Sequence, residues 1–163
     1  MILQRVLASV LAVGLLSAGA LAAPGHKPGE GHGPADDTAY GKPGDPKKPA
    51  RIVQIVMREA DGKMLFLPDR IEVKKGEQIR FMMRNNGELE HEMVLATLEE
   101  NMKHMEEMKK NPDMEHDDPN AKRLKPKKTA EILWQFTKAG EFDFSCLIPG
   151  HRQSGMFGTI IVK

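Results

Sequence analysis

Short apolar runs with a period of two dominate the chain from residue 51 onwards. Alternation of apolar and polar side chains is typical of strands that bury one face. Turn signals separate the runs, among them Asp61-Gly62, Lys75-Gly76 and Ala139-Gly140. Many short strands at such intervals predict an all-β sandwich. The runs lie at 52–57, 64–68, 71–73, 79–84, 131–136, 141–146 and 157–163.

One segment departs from this alternation and predicts a helix. Thr97 followed by Glu100 fits a capping box. Apolar residues then recur at helical spacing until Pro112, which ends the pattern. We therefore expect a helix over 98–110, within a Met/His-rich insertion that covers residues 97–127.

The stretch 144–156, FSCLIPGHRQSGM, carries the only cysteine of the chain. In this stretch four residues separate Cys146 from His151, and four more separate His151 from Met156. Strand alternation places Cys146 on the core face. Two imidazoles, a thiolate and a long axial thioether form a type 1 copper site. His91, which follows the turn-like 85–87, is the best candidate for the second imidazole.

Taken one at a time, these residues are equally compatible with packing, since a buried Cys often acts as a small hydrophobe. The ordered set favours copper. The motifs PDRIEVKKGEQIRF at 68–81, HE at 91–92, PGH at 149–151 and GMFGTIIVK at 155–163 resemble the cupredoxin family. That family includes plastocyanin, azurin and auracyanin, and the likeness is greatest to bacterial periplasmic cupredoxins associated with copper tolerance.

The resemblance covers roughly residues 51–163 and implies an antiparallel Greek-key cupredoxin sandwich. It also implies one type 1 copper held by His91, Cys146, His151 and Met156. Plastocyanin and azurin usually have Asn after the first ligand histidine, whereas this chain has Glu92. In those proteins that residue ties the first ligand to the cysteine loop.

The first 22 residues carry one charge, Arg5, followed by an apolar stretch and an Ala-Leu-Ala cleavage pattern. They predict a cleaved signal peptide and a periplasmic protein with no stable membrane insertion; an uncleaved anchor is the alternative. Residues 23–50, rich in Gly, Pro and His, predict a disordered linker before a domain at 51–163. Without Arg5, Lys plus Arg falls from 24 to 23 against 23 acidic residues, and this balance gives no reason to expect nucleic acid binding.

The insertion has two interpretations. Its thioethers could bind weak additional Cu(I), or they could pack the helix onto the sandwich. Copper contact is favoured for Met114 and His116, and His104 and Met105 are further candidates.

The sequence thus predicts a redox-active copper protein of copper homeostasis, with copper-handling proteins or a redox protein as partners. A single-electron carrier is the alternative, and a metal-free adhesion-like sandwich is a third possibility. We expect no enzyme, since the chain has neither an H-x-H pair nor a second loop cysteine.

Overall fold

The computed structural model of the protein describes residues 37–111 and 118–163. The predicted signal peptide, residues 23–36, Met114 and His116 lie outside the described residues. Within the described part, ten strands and one helix follow each other along the chain. They are β1 (Lys42–Pro43), β2 (Arg51–Ala60), β3 (Lys63–Leu67), β4 (Arg70–Val73), β5 (Gln78–Asn85), β6 (His91–Ala96), α1 (Leu98–Lys110), β7 (Ala121–Leu124), β8 (Thr129–Gln135), β9 (Gly140–Ser145) and β10 (Phe157–Val162).

The strands form two five-stranded sheets, as the prediction of a cupredoxin sandwich requires. One sheet has the order β1-β8-β5-β2-β3 and the other has the order β4-β10-β9-β6-β7. Most neighbouring strands are antiparallel, as the resemblance implies, but two pairs are parallel. β2 pairs with β5 in parallel, and β4 pairs with β10 in parallel. The alternation of apolar and polar residues predicts where strands lie, but it does not show whether two neighbouring strands run parallel or antiparallel.

The turn between β2 and β3 matches the predicted signal. Asp61 has φ 52° and Gly62 has φ 73°, so both central residues are left-handed, as a tight two-residue hairpin requires. The side chains that alternate inward from the two sheets form one core. Its largest fully buried members include Phe66, Phe81, Phe136, Phe144, Ile55, Ile79, Met83 and Leu95.

The predicted helix is confirmed with its bounds and its cap. The side chain of Thr97 accepts a hydrogen bond from the Glu100 N–H, and the Glu100 side chain accepts one from the Thr97 N–H. Met105 and Met108 are buried against Val94 and other residues of a second, smaller apolar cluster. The insertion is not helix and loop alone, because β7 lies within it and pairs with β6.

The structure places the start of the folded domain earlier than residue 51. Tyr40 is buried and stacks on Trp134 with 5.4 Å between ring centroids. The Trp134 Nε1–H donates to the Tyr40 carbonyl at 2.9 Å, and β1 pairs with β8. The last part of the predicted linker, from residue 37, therefore belongs to the sandwich.

Across residues 37–111 and 118–163, no helix has the length and apolar character needed to cross a membrane.

Candidate metal centre

Two neighbouring strands of the second sheet bring distant parts of the chain together. β6 begins at His91, and β9 ends one residue before Cys146. The strands are antiparallel with Val94 opposite Ser145, so the start of β6 lies beside the residues that follow β9. Every residue of β6 is buried. Pairing across more than 50 residues of sequence therefore delivers His91 to the cysteine loop.

Three predicted donor atoms converge in this place. His91 Nδ1 lies 3.2 Å from His151 Nδ1, and His151 Nδ1 lies 3.3 Å from Cys146 Sγ. One donor atom from each of the three residues lies within 4.8 Å of the other two, and all three residues are buried. Two imidazole nitrogens and a sulfur at this separation fit a single copper ion by the chemistry of the donor set.

The loop from Cys146 to Met156 is closed by its own backbone. The Cys146 N–H donates to the Met156 carbonyl, and the Met156 N–H donates to the His151 carbonyl, each at 3.1 Å. Gly155 has φ 101°, a conformation that side chains rarely adopt, and the preceding Ser154 carbonyl accepts from Met64 in β3. Met156 is fully buried. The backbone of Met156, the predicted axial residue, is thus hydrogen-bonded to the backbones of Cys146 and His151.

Glu92 supplies the link that an amide usually provides at this position. Its backbone N–H donates to Cys146 Sγ at 3.4 Å, and its Oε1 accepts from the Leu147 N–H at 2.9 Å. Strand β6 and the cysteine loop are therefore tied together although Glu92 replaces the asparagine usual in plastocyanin and azurin. Burial raises the pKa of the Glu92 carboxyl to about 7.

Burial also sets the protonation of the metal-free donors. It raises the pKa of the Cys146 thiol to about 12, with a further contribution from Glu92. Burial and the neighbouring His91 lower the pKa of His151 to about 4. At neutral pH the thiol is therefore protonated and the His151 ring is neutral, so copper must displace one proton from sulfur.

Glu59 is a functional candidate that the sequence analysis missed. Its Oε1 lies 2.6 Å from His91 Nε2, the ring nitrogen that faces away from the donor cluster. Partial burial acts to raise the pKa of Glu59, but its hydrogen bonds, to backbone N–H groups such as those of Glu88 and Leu89 and to His91, together lower this pKa. In sequence Glu59 is an ordinary charged residue of β2, and nothing in the local pattern distinguishes it.

Buried polar contacts connect helix α1 with the ligand loop. Arg152 Nη1 donates to both carboxylate oxygens of Asp143, at 2.9 and 3.0 Å, and contacts the Ser145 hydroxyl. Asn101 in the helix donates to the same Asp143 at 2.7 Å. Gln153 Nε2 lies 3.5 Å from Met105 Sδ. The burial of Met105 in an apolar cluster supports the packing interpretation of this residue.

His104, a further candidate from the insertion, is not part of the cluster formed by His91, Cys146 and His151. His104 lies on α1, where burial lowers its pKa. Within the described ranges, His91, Cys146 and His151 form the only group of three or more His, Cys, Asp or Glu side chains that could hold a metal ion. A copper role for Met114 and His116 stays a prediction.

A two-sheet sandwich with a buried His–Cys–His cluster defines a copper-binding cupredoxin. A family model described as copper binding proteins of the plastocyanin/azurin family matches residues 53–163. The chain belongs to that family.

The relatives of this chain include proteins named copper-resistant cuproprotein CopI. The protein from Rubrivivax gelatinosus is 46% identical over 143 residues, which cover 85% of each chain. The protein from Pseudomonas aeruginosa is 35% identical over 159 residues, covering 80% of this chain and 86% of the relative. Dithionite-reduced auracyanin from Roseiflexus castenholzii has a similar fold, with a TM-score of 0.58, 20% identity, and coverage of 71% of this chain and 99% of that one. The likeness to relatives named for copper resistance confirms the predicted resemblance.

Proposed function

We propose that this protein is a periplasmic mononuclear type 1 copper protein that acts in copper homeostasis. His91 Nδ1, Cys146 Sγ and His151 Nδ1 would hold the copper, and Met156 would be the weak axial ligand. The main support for the proposal is that the first three of these donor atoms lie close together. The names of the two curated relatives support the assignment to copper tolerance.

The chain's own residues determine how the site works. Bound copper would accept or release one electron. Cu(I) and Cu(II) prefer different geometries, so a site that is held rigidly between the two needs less rearrangement when the electron is transferred. Cys146 must give up its proton on binding, whereas the buried ring of His151 is already neutral. The hydrogen bonds of Glu92 and the closed loop hold the donors in place before metal arrives.

The test is a titration of the reduced, full-length protein with copper, followed by visible absorption and EPR. We expect the intense thiolate-to-copper absorption of a type 1 site, and we expect His151→Ala to remove it. His104→Ala is the matched control, because it removes an imidazole from α1 rather than from the donor cluster. A His151→Ala protein that binds copper and keeps the full wild-type spectrum would refute the assignment.

Single-electron transfer between periplasmic proteins is the second candidate function. The exposure of the donors favours it, since His151 is 8% exposed while His91 and Cys146 are 0% exposed. The His151 ring is thus the donor through which an electron could enter. In both candidate functions the protein acts as a non-enzymatic partner of a redox or copper-handling protein.

Copper stoichiometry separates the two functions. One tightly held copper per chain favours the carrier. Additional Cu(I) that is lost when Met114 and His116 are substituted favours copper handling with the insertion as collector. Thioethers need no deprotonation, so such additional binding should persist at acidic pH.

A further inference from the structure

The imidazole of His91 lies between a carboxylate and the donor cluster. Its Nε2 is 2.6 Å from Glu59 Oε1, and its Nδ1 is 3.2 Å from His151 Nδ1. The His91 side chain is fully buried, whereas that of Glu59 is 28% exposed. The two ring nitrogens therefore have different partners, and the carboxylate occupies the one that does not face the other donors.

The backbone of the loop between β5 and β6 fixes this carboxylate. The Glu88 N–H donates to Glu59 Oε2 at 2.9 Å, and the Leu89 N–H donates to Oε1 at 3.2 Å. Together with His91, these groups give Glu59 three partners. A carboxylate held in this way cannot turn towards solvent without leaving two backbone donors unpaired.

Gly87 allows the loop to approach the carboxylate. A Cβ built at residue 87 would lie 2.4 Å from Glu59 Oε2 and 2.5 Å from Oε1. Gly87 has no positive φ, so alanine there would meet a steric conflict and no backbone strain. Because the conflict is with the end of a flexible side chain, alanine would displace the carboxylate rather than the strand.

We propose that Glu59 is a positioning residue that selects the tautomer of His91 and biases the site towards Cu(II). To donate to the carboxylate, Nε2 must carry the ring proton, which leaves the Nδ1 lone pair for the metal. A carboxylate partner also makes the imidazole a more basic ligand. Its negative charge attracts Cu(II) more strongly than Cu(I). This inference rests on the proposed function, namely that copper binds to His91 Nδ1.

The first test is Glu59→Gln in the copper-loaded, full-length protein. The amide oxygen can still accept the Nε2 proton, but the charge is lost. We expect copper to bind and the ratio of Cu(II) affinity to Cu(I) affinity to fall about tenfold, which raises the one-electron potential by about 59 mV. Glu131→Gln is the matched control, because it removes the same charge from a carboxylate paired with Arg80, and we expect an unchanged potential.

Gly87→Ala tests the placement of the carboxylate with its charge retained. We expect the potential to rise in the same direction as in Glu59→Gln. A third measurement uses the metal-free wild-type protein and needs no variant to fold. Nitrogen-15 NMR of the imidazoles should show His91 with its proton on Nε2 and none on Nδ1.

The outcomes distinguish this inference from the proposed function. An unchanged potential in copper-loaded Glu59→Gln, or a metal-free His91 with its proton on Nδ1 alone, overturns the role of Glu59 and leaves the copper site standing. A wild-type protein that binds no copper overturns the proposed function itself. If Glu59 only holds the loop in place, Glu59→Gln would lower the stability of the protein and leave the copper potential unchanged. This result also refutes the inference.

Discussion

The side chain of Asn85 holds the loop that leads into His91. Asn85 is fully buried at the end of β5. Its Nδ2 donates to the carbonyls of Leu89 and Leu124, at 2.7 and 3.0 Å, and its Oδ1 accepts from the Gly87 N–H at 2.9 Å. One amide therefore ties the loop to both β5 and β7.

Asn85→Ala removes all three bonds and creates no new contact. The bonds to Leu124 and Gly87 are buried, and each unpaired buried group costs about 1–3 kcal/mol. The two together give a loss of about 2–6 kcal/mol in the free energy of unfolding. With a urea m-value of about 2 kcal/mol/M, a loss of about 2–4 kcal/mol lowers the urea concentration at the unfolding midpoint by about 1–2 M.

The assay is urea unfolding of the metal-free protein, followed by Trp134 fluorescence, so that copper binding does not mask the loss. Asn86→Ala is the matched control, because Asn86 is the next residue and is exposed. We expect the control to change stability by less than about 0.5 kcal/mol. If Asn85→Ala loses no more than the control, the assigned hydrogen bonds do not hold the loop.

Two further predictions concern protons and the domain boundary. Because the pKa of Cys146 is about 12 and that of His151 about 4, copper binding near pH 7 releases one proton, from the thiol. The apparent affinity of the protein for copper, measured by competition with a chelator, should therefore fall about tenfold for each unit by which the pH is lowered. An affinity that does not change with pH would contradict this. Tyr40→Ala should cost about 3 kcal/mol, mainly because the buried ring is lost and in part because its stack on Trp134 is lost, as measured by urea unfolding. If the free energy of unfolding falls by less than about 0.5 kcal/mol, Tyr40 does not contribute to the folded domain and belongs to the linker, as the sequence predicted.

Sequence predicted those features of the fold that depend on neighbouring residues. The capping box of Thr97 and Glu100 is complete within four residues, and the hairpin at Asp61-Gly62 depends only on local φ angles. Cys146 lies in the core, as the period-two alternation of apolar residues at 141–146 predicts. The burial along β9 does not alternate, because Asp143 and Ser145 are buried too. Such signals are readable because the residues that cause them are adjacent in sequence.

The features that sequence missed are contacts between distant segments. Tyr40 meets Trp134 and Glu59 meets His91 only after the sheets have formed. Each is an unremarkable residue in its own segment, and its role comes from a partner elsewhere in the chain. The four copper ligands could be proposed from sequence because a lone cysteine followed by a histidine and a methionine at short spacing is an unusual set of metal-binding side chains, typical of a copper site.

The register of β6 against β9 determines how His91 and Cys146 are placed relative to each other in the proposed copper site. A slip of one residue would turn Cys146 to the opposite face and carry the Glu92 N–H away from its sulfur. Asn101 opposes that slip, because its Nδ2 donates both to the Val94 carbonyl in β6 and to Asp143 in β9. Asn101 lies on helix α1, so the insertion stabilises the alignment of β6 with β9 independently of any metal-binding role of its methionines.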